Sequence, residues 1–195
     1  EKPKPITPKA ELRYSDFVFD NRRGKIICVR EDHRKQGVKA VNTIVSMNFE
    51  GKDAEVIISG NDFYSSPRIS PDGRYLAWLT WNHPYMPWDK TELWAGRLSE
   101  DGSVEESIWV AGEPEESVLQ PSWSPSGVLY FASDRSNWWN IYCWKDYEVK
   151  SIYPCDGEFA TPHWVFTQSN YAFETEHNII CSYTKNGEWH IARLD

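Results

Sequence analysis

The chain has 195 residues, a formal net charge of −8 from 21 Lys and Arg against 29 Asp and Glu, and 15% aromatic residues, 11 of them Trp. Dispersed and outnumbered Lys and Arg exclude a nucleic-acid partner as an expectation, because phosphate binding depends on clustered positive charge. No apolar run approaches the roughly 18 residues that span a bilayer, so no membrane partner is expected either.

Residues 1–10 are polar and Pro-rich, which predicts an irregular N-terminal segment and no signal peptide. Beyond them the strands count out in fours. The first group comprises Asp16–Phe19, Lys25–Arg30, Thr43–Phe49 and Glu55–Ser59. The second comprises Pro67–Ser70, Tyr75–Trp81, Glu92–Leu98 and Ser107–Val110, and the third Pro121–Ser124, Val128–Ser133, Asn140–Lys145 and Val149–Tyr153. The last has His163–Phe166 continuing toward Phe173, then Ile179–Tyr183 and Trp189–Arg193, and lacks a fourth strand. No window of 11 residues carries helical periodicity. The basic stretch Arg30–Lys39 contains His33 and acidic neighbours and reads as a solvated loop.

Internal repetition organises these strands. Ser66-Pro67-Arg68-Ile69-Ser70-Pro71-Asp72-Gly73 aligns with Gln120-Pro121-Ser122-Trp123-Ser124-Pro125-Ser126-Gly127, each followed by an apolar strand. Pro pre-sets φ in such a turn and Gly accepts the positive φ that closes it. A third copy begins at Thr161-Pro162-His163-Trp164 without the turn, and a divergent fourth lies at Leu12-Arg13-Tyr14-Ser15. The prolines Pro67, Pro121 and Pro162 stand 54 and 41 residues apart, so the period is elastic. Periods of this size mark propellers and solenoids. A sandwich or barrel would supply strands at this spacing but not the recurring turn. The expected fold is all-β: a partial β-propeller of about four blades of four antiparallel strands, the last incomplete, spanning approximately 11–60, 61–112, 113–156 and 157–195.

Chemistry-bearing motifs are missing. No two glycines stand four or two apart, which excludes Gly-x-Ser-x-Gly and GxGxxG, and no GxxxxGK occurs. The histidines, His33, His83, His163, His177 and His190, show no metal-ligand spacing. No catalytic residue, metal or cofactor is expected. The cysteines, Cys28, Cys143, Cys155 and Cys181, form no CxxC pair, and three sit in apolar strand runs, which fits a reducing cytoplasm. Asp134 follows an apolar strand and reads as a turn tie, with a ligand contact as the alternative.

Two features stand out as candidate substrate-binding or domain-contact sites. One is the loop Trp81-Asn82-His83-Pro84-Tyr85-Met86-Pro87-Trp88-Asp89, whose Trp81, His83, Tyr85 and Trp88 form either a contact surface or a flap folded over its own blade. The other is an acid shortly before each blade-opening Pro: Asp62, Glu116 and Glu158. Blade topology brings these acids to the face that carries the aromatic loop, either to hold a peptide amine or a domain edge, or as turn-forming acids in solvent.

Several stretches carry a family resemblance: Arg13-Tyr14-Ser15-Asp16-Phe17-Val18-Phe19-Asp20 with Val29-Arg30-Glu31-Asp32-His33, Asp62-Phe63-Tyr64-Ser65-Ser66-Pro67, His83-Pro84-Tyr85-Met86-Pro87-Trp88-Asp89, and Ser133-Asp134-Arg135-Ser136-Asn137-Trp138-Trp139-Asn140. They resemble the propeller of prolyl-oligopeptidase-like serine peptidases, in the dipeptidyl-aminopeptidase and acylaminoacyl-peptidase branch, from about Glu11 to Asp195. The Ser-Pro-Asp-Gly turn alone is shared with TolB-like propellers. The resemblance implies a propeller of about seven blades preceding a C-terminal α/β-hydrolase domain that carries the catalytic triad, with the propeller gating access of short peptides. No triad position falls within this chain. A partial ring leaves two end faces exposed, so self-association of the fragment is expected. A stand-alone TolB-like scaffold that binds protein partners is the alternative.

Overall fold

A computed structural model describes residues 2–50 and 54–195. Glu1 of the expected N-terminal segment and residues 51–53 of the expected first blade lie outside the described residues. Four antiparallel sheets follow in chain order. The first contains β1 (Leu12–Asp20), β2 (Lys25–Asp32), β3 (Val41–Asn48) and β4 (Glu55–Ile58). The second contains β5 (Phe63–Ile69), β6 (Tyr75–Trp81), β7 (Glu92–Leu98) and β8 (Val104–Ala111). The third contains β9 (Val118–Trp123), β10 (Leu129–Ser133), β11 (Asn140–Lys145) and β12 (Glu148–Ser151). The fourth contains only β13 (Tyr171–Phe173), β14 (Ile179–Lys185) and β15 (Glu188–Leu194). Strand order within each sheet follows the sequence. The all-β partial propeller, with its incomplete last blade, is therefore what the chain forms.

The recurring turn does what its residues dictate. Gly73, at φ +70°, donates its N–H to the Ser70 carbonyl at 2.8 Å, and Asp72 accepts from the Ser70 hydroxyl and the Arg74 N–H. Ser124 and Gly127 repeat this closure at 2.9 Å. Before each turn the innermost strand is bulged, at Asp16, Ser66 and Gln120, with φ of +48°, +53° and +48°. The first blade's turn is therefore Asp20–Gly24, and Leu12-Arg13-Tyr14-Ser15 lies four residues too early to be the copy, since Asp16-Phe17 stands where Ser66-Pro67 and Gln120-Pro121 do.

The bulges also tie neighbouring blades together. Asp16 Oδ2 accepts from the Ser66 N–H at 2.5 Å, and Gln120 Oε1 accepts from the Asn170 N–H at 2.7 Å. Between the second and third blades the Trp123 indole donates to the Arg68 carbonyl at 2.9 Å. Apolar layers fill the gaps between sheets. Ile27, Val29 and Ile44 meet Leu76 and Trp78, Leu79 and Leu93 meet Leu129 and Phe131, and Ile141 meets Tyr171 and Ile179. Each fully buried Leu or Ile contributes about 1.5–3 kcal/mol.

The fourth blade departs from the expected strands. His163–Phe166 forms no strand, and, counted back from the turn-side pairs Ile69–Leu76, Trp123–Leu129 and Phe173–Ile179, the residue at the position of Pro67 and Pro121 is Tyr171. Aligned this way, Phe17, Pro67, Pro121 and Tyr171 are 50, 54 and 50 residues apart, so the period is more regular than Pro162 suggests. The physical reason is an insertion inside the innermost strand. Glu158 pairs with Thr184 in an isolated bridge, and pairing resumes only at Tyr171 opposite Cys181. A bulge in the other blades has become an excursion here. Both end faces are exposed, with Phe17 at 62% and Ile191 at 83%.

A candidate aromatic cleft

Two insertions meet on one side of the ring. One is the connection between β6 and β7, and the other is the excursion before β13. The Trp88 and Trp164 rings lie 4.2 Å apart between centroids, tilted by 40°. Beside them opens a cleft of about 420 Å³ walled by Trp81, Met86, Trp88, Trp164 and Phe166, with His163 and Ser66 also lining it. The walls are mostly apolar, which suits burial of an aromatic or aliphatic side chain.

The β6–β7 connection is stapled at both ends. Asp62 accepts from the His83 N–H at 2.9 Å and donates its own N–H to Asn82 Oδ1 at 2.7 Å, while Ser117 Oγ donates to the Pro87 carbonyl at 2.9 Å. Phe63 stacks on Trp81 at 5.4 Å and meets the His83 ring edge-on at 4.9 Å. Tyr85 and Met86 remain about half exposed at the tip, where the Lys90 ammonium lies 5.7 Å from the Tyr85 ring.

The sequence-selected acids sit beside the cleft rather than in its walls. Glu116, 2% exposed, accepts from the Gly112 and Glu113 N–H groups, the Ser133 hydroxyl at 2.6 Å and the Arg135 guanidinium at 2.8 and 2.9 Å. Glu158 accepts from the Trp139 N–H at 2.8 Å. Asp134 receives the Ser117 N–H at 2.7 Å; burial raises its carboxyl, that hydrogen bond opposes the rise, and the charges of Glu116 and Glu158 add to it. Glu116, Asp134 and Glu158 thus share one acidic neighbourhood, with Asp62 standing apart at the aromatic loop.

Sequence reasoning passed over Trp164, Phe166, Asp16 and Arg68. The excursion carries His163 against the innermost strands, where burial lowers its imidazole against the pull of Asp16, with Arg68 lowering it further. Arg68 Nη1 contacts Asp16 Oδ1 at 3.2 Å. Run together, Trp164-Val165-Phe166 was an available signal, hidden because it reads equally well as a strand. No hydrogen bond joins His163 to Ser65 or Ser66 among the described residues, and no group of three metal-ligating side chains occurs among them. The arrangement offers an apolar surface, and among the described residues it shows no nucleophile paired with a base. No helix among the described residues is long and apolar enough to cross a membrane.

A partial propeller with an aromatic cleft on one face defines the class of the protein, and comparison with solved structures narrows it. Puromycin hydrolase matches with a TM-score of 0.90 and 30% identity over 100% of this chain and 31% of that chain. The puromycin-hydrolyzing peptidase of Mycobacterium tuberculosis matches at 0.89 and 33% identity over 100% of this chain and 32% of that chain. Prolyl oligopeptidase B from Galerina marginata matches at 0.71 and 16% identity over 95% and 26%, a likeness of fold alone. No protein-family model and no curated protein sequence matches the chain. The chain spans about a third of the first two enzymes. Its resemblance to the propeller of prolyl-oligopeptidase-like peptidases, drawn above from the sequence motifs, stands.

Proposed function

We propose that this chain is the non-catalytic propeller portion of a prolyl-oligopeptidase-like serine peptidase of the dipeptidyl-aminopeptidase or acylaminoacyl-peptidase branch. It packs against an α/β-hydrolase domain outside these residues and limits which peptides reach that domain. One observation carries the reading: the whole chain superimposes on 31% of puromycin hydrolase at a TM-score of 0.90. The aromatic cleft is the surface that meets substrate or the hydrolase domain, with Trp81, Trp88 and Trp164 as its anchors. Asp62, Glu116 and Glu158 support that surface by fixing its loops. Four free cysteines support a reducing cytoplasmic setting.

The test uses the parent polypeptide, with puromycin and a 30-residue peptide as substrates. It is expected to encode Gly-x-Ser-x-Gly downstream, to hydrolyse puromycin and to spare the long peptide. Substituting Trp88→Ala and Trp164→Ala together is expected to change KM for short substrates at least threefold while this chain alone stays inactive. Turnover by this chain alone, or a parent lacking the nucleophile motif, overturns the proposal, and the second result leaves the stand-alone scaffold.

A further inference from the structure

The open face of the first blade contains a buried guanidinium that no side chain among the described residues pairs by hydrogen bond or ion pair. Arg30 is only 8% exposed, its Nε has no hydrogen-bond partner, and its guanidinium makes no ion pair among the described residues. Its two cross-strand neighbours, Tyr14 and Thr43, bury hydroxyl groups that are equally unpartnered. A cleft of about 610 Å³ opens beside them, bounded by Arg30, Tyr14, Leu12, Arg34, Ile6 and Glu50. Asp32 lies near enough to feel the Arg30 charge but hydrogen-bonds Arg34, at 2.5 and 2.9 Å, and neither it nor Glu50 comes within ion-pair distance of Arg30. Residues 5–8, the part of the N-terminal segment that lines the cleft, bring no acid.

The blade repeat identifies what is missing. Phe19 pairs with Ile26 as Trp123 pairs with Leu129, so Arg30 occupies the position of Ser133 and Leu12 that of Glu116. In the third blade the buried Glu116 carboxylate closes this site by accepting from Ser133 Oγ at 2.6 Å. In the first blade the acid is replaced by leucine and the hydroxyl by a guanidinium. A buried cation without a counter-charge is costly, and a carboxylate accepting from it is the economical answer. Next to the cleft lies an apolar hollow of about 400 Å³ lined by Phe17, Phe19, Ile26, Cys28, Met47 and Phe49.

We propose that Arg30 and Tyr14 form a carboxylate-receiving site, filled by an Asp or Glu of a polypeptide segment whose apolar flanking residues lie on the hollow of Phe17, Phe19 and Phe49. Charge complementarity chooses an acidic segment, and the adjoining apolar hollow chooses a polypeptide over a free small acid. The inference concerns a different face from the aromatic cleft and is read on this chain alone, so its failure and that of the proposed function are separable.

The experiment measures binding of two fluorescently labelled peptides, acetyl-Val-Leu-Glu-Leu-Val-amide and its Gln counterpart, to the 195-residue chain. The Glu peptide is expected to bind at least tenfold more tightly, and Arg30→Met is expected to erase the difference while keeping the far-ultraviolet circular dichroism. Without peptide, Arg30→Met is expected to raise the Tm, since it removes an unpaired buried charge. Equal affinities, discrimination that survives Arg30→Met, binding of neither peptide, or a lowered Tm overturns the proposal. Acetate displacing the Glu peptide at equal concentration overturns the choice of a polypeptide.

Discussion

Removing the Glu116 carboxylate tests whether the acids before each blade hold the propeller together. Glu116→Ala deletes an acceptor shared by two backbone N–H groups, a serine hydroxyl and a guanidinium, all within 3.0 Å. Each buried donor left unpaired costs about 1–3 kcal/mol, and breaking a buried charged pair costs about 3–5 kcal/mol. The Arg135 side chain is 30% exposed and regains water, which places the loss at the lower end, about 3 kcal/mol. For a chain of this size each kcal/mol moves the Tm by roughly 2–4 °C, so Glu116→Ala is expected to melt about 6–12 °C lower. Glu116→Gln keeps one oxygen for Ser133 and Arg135 and is expected to lose about half as much. Thermal melts followed by circular dichroism read both variants. If both melt within about 1 °C of the parent, the carboxylate is not what closes this corner.

Three further predictions follow from local geometry. His163 titrates lower in the folded chain than its ordinary value of about 6.5, so between those two values the unfolded chain binds more protons and stability rises with pH. Denaturant midpoints from pH 5 to 8 are expected to fall on acidification below about 6.5, and His163→Gln is expected to flatten the slope; an unchanged slope refutes it. A Cβ on Gly112 would lie 2.4 Å from the Thr91 carbonyl oxygen at a φ of +115°, whereas one on Gly127 meets nothing within 4 Å. Gly112→Ala is therefore expected to cost more than about 3 kcal/mol and Gly127→Ala about 1, read as denaturant midpoints, and equal losses would refute the contact. Burial pushes the Cys28 thiol up to about 11, with Arg30 pulling slightly the other way. Iodoacetamide at pH 8 is expected to spare Cys28 in the folded chain, and rapid alkylation there, read by mass spectrometry, would contradict the burial.

The turn chemistry was legible because it is local. Ser-Pro-Asp-Gly and Ser-Pro-Ser-Gly bond within five residues, so their residue types report their geometry directly. The innermost strand of the fourth blade was not legible for the opposite reason. Pro162 follows Glu158 at nearly the distance at which Pro121 follows Glu116 and Pro67 follows Asp62, so the acid-to-proline pattern is intact on both sides of an insertion. Only the partners across the sheet, Thr184 for Glu158 and Cys181 for Tyr171, reveal that the strand is broken between them. The aromatic run carried off by that break is half of the cleft, so the misplaced strand and the unrecognised Trp164 and Phe166 have one cause.

Repetition sharpens what the acids mean. At one position in each of the first three blades the chain places Leu12, Asp62 or Glu116, and the neighbouring groups follow that choice. Where the acid is present it is met by chain donors: His83 N–H for Asp62, and Ser133 and Arg135 for Glu116. Where leucine replaces it, the position of Ser133 holds Arg30, whose Nε has no hydrogen-bond partner among the described residues. A residue type that looks like an ordinary strand substitution in the sequence becomes informative only once register shows that its partner has also changed. The first blade has exchanged an internal acid for a buried cation, and a blade surface built that way is complete only against a surface that brings the acid back.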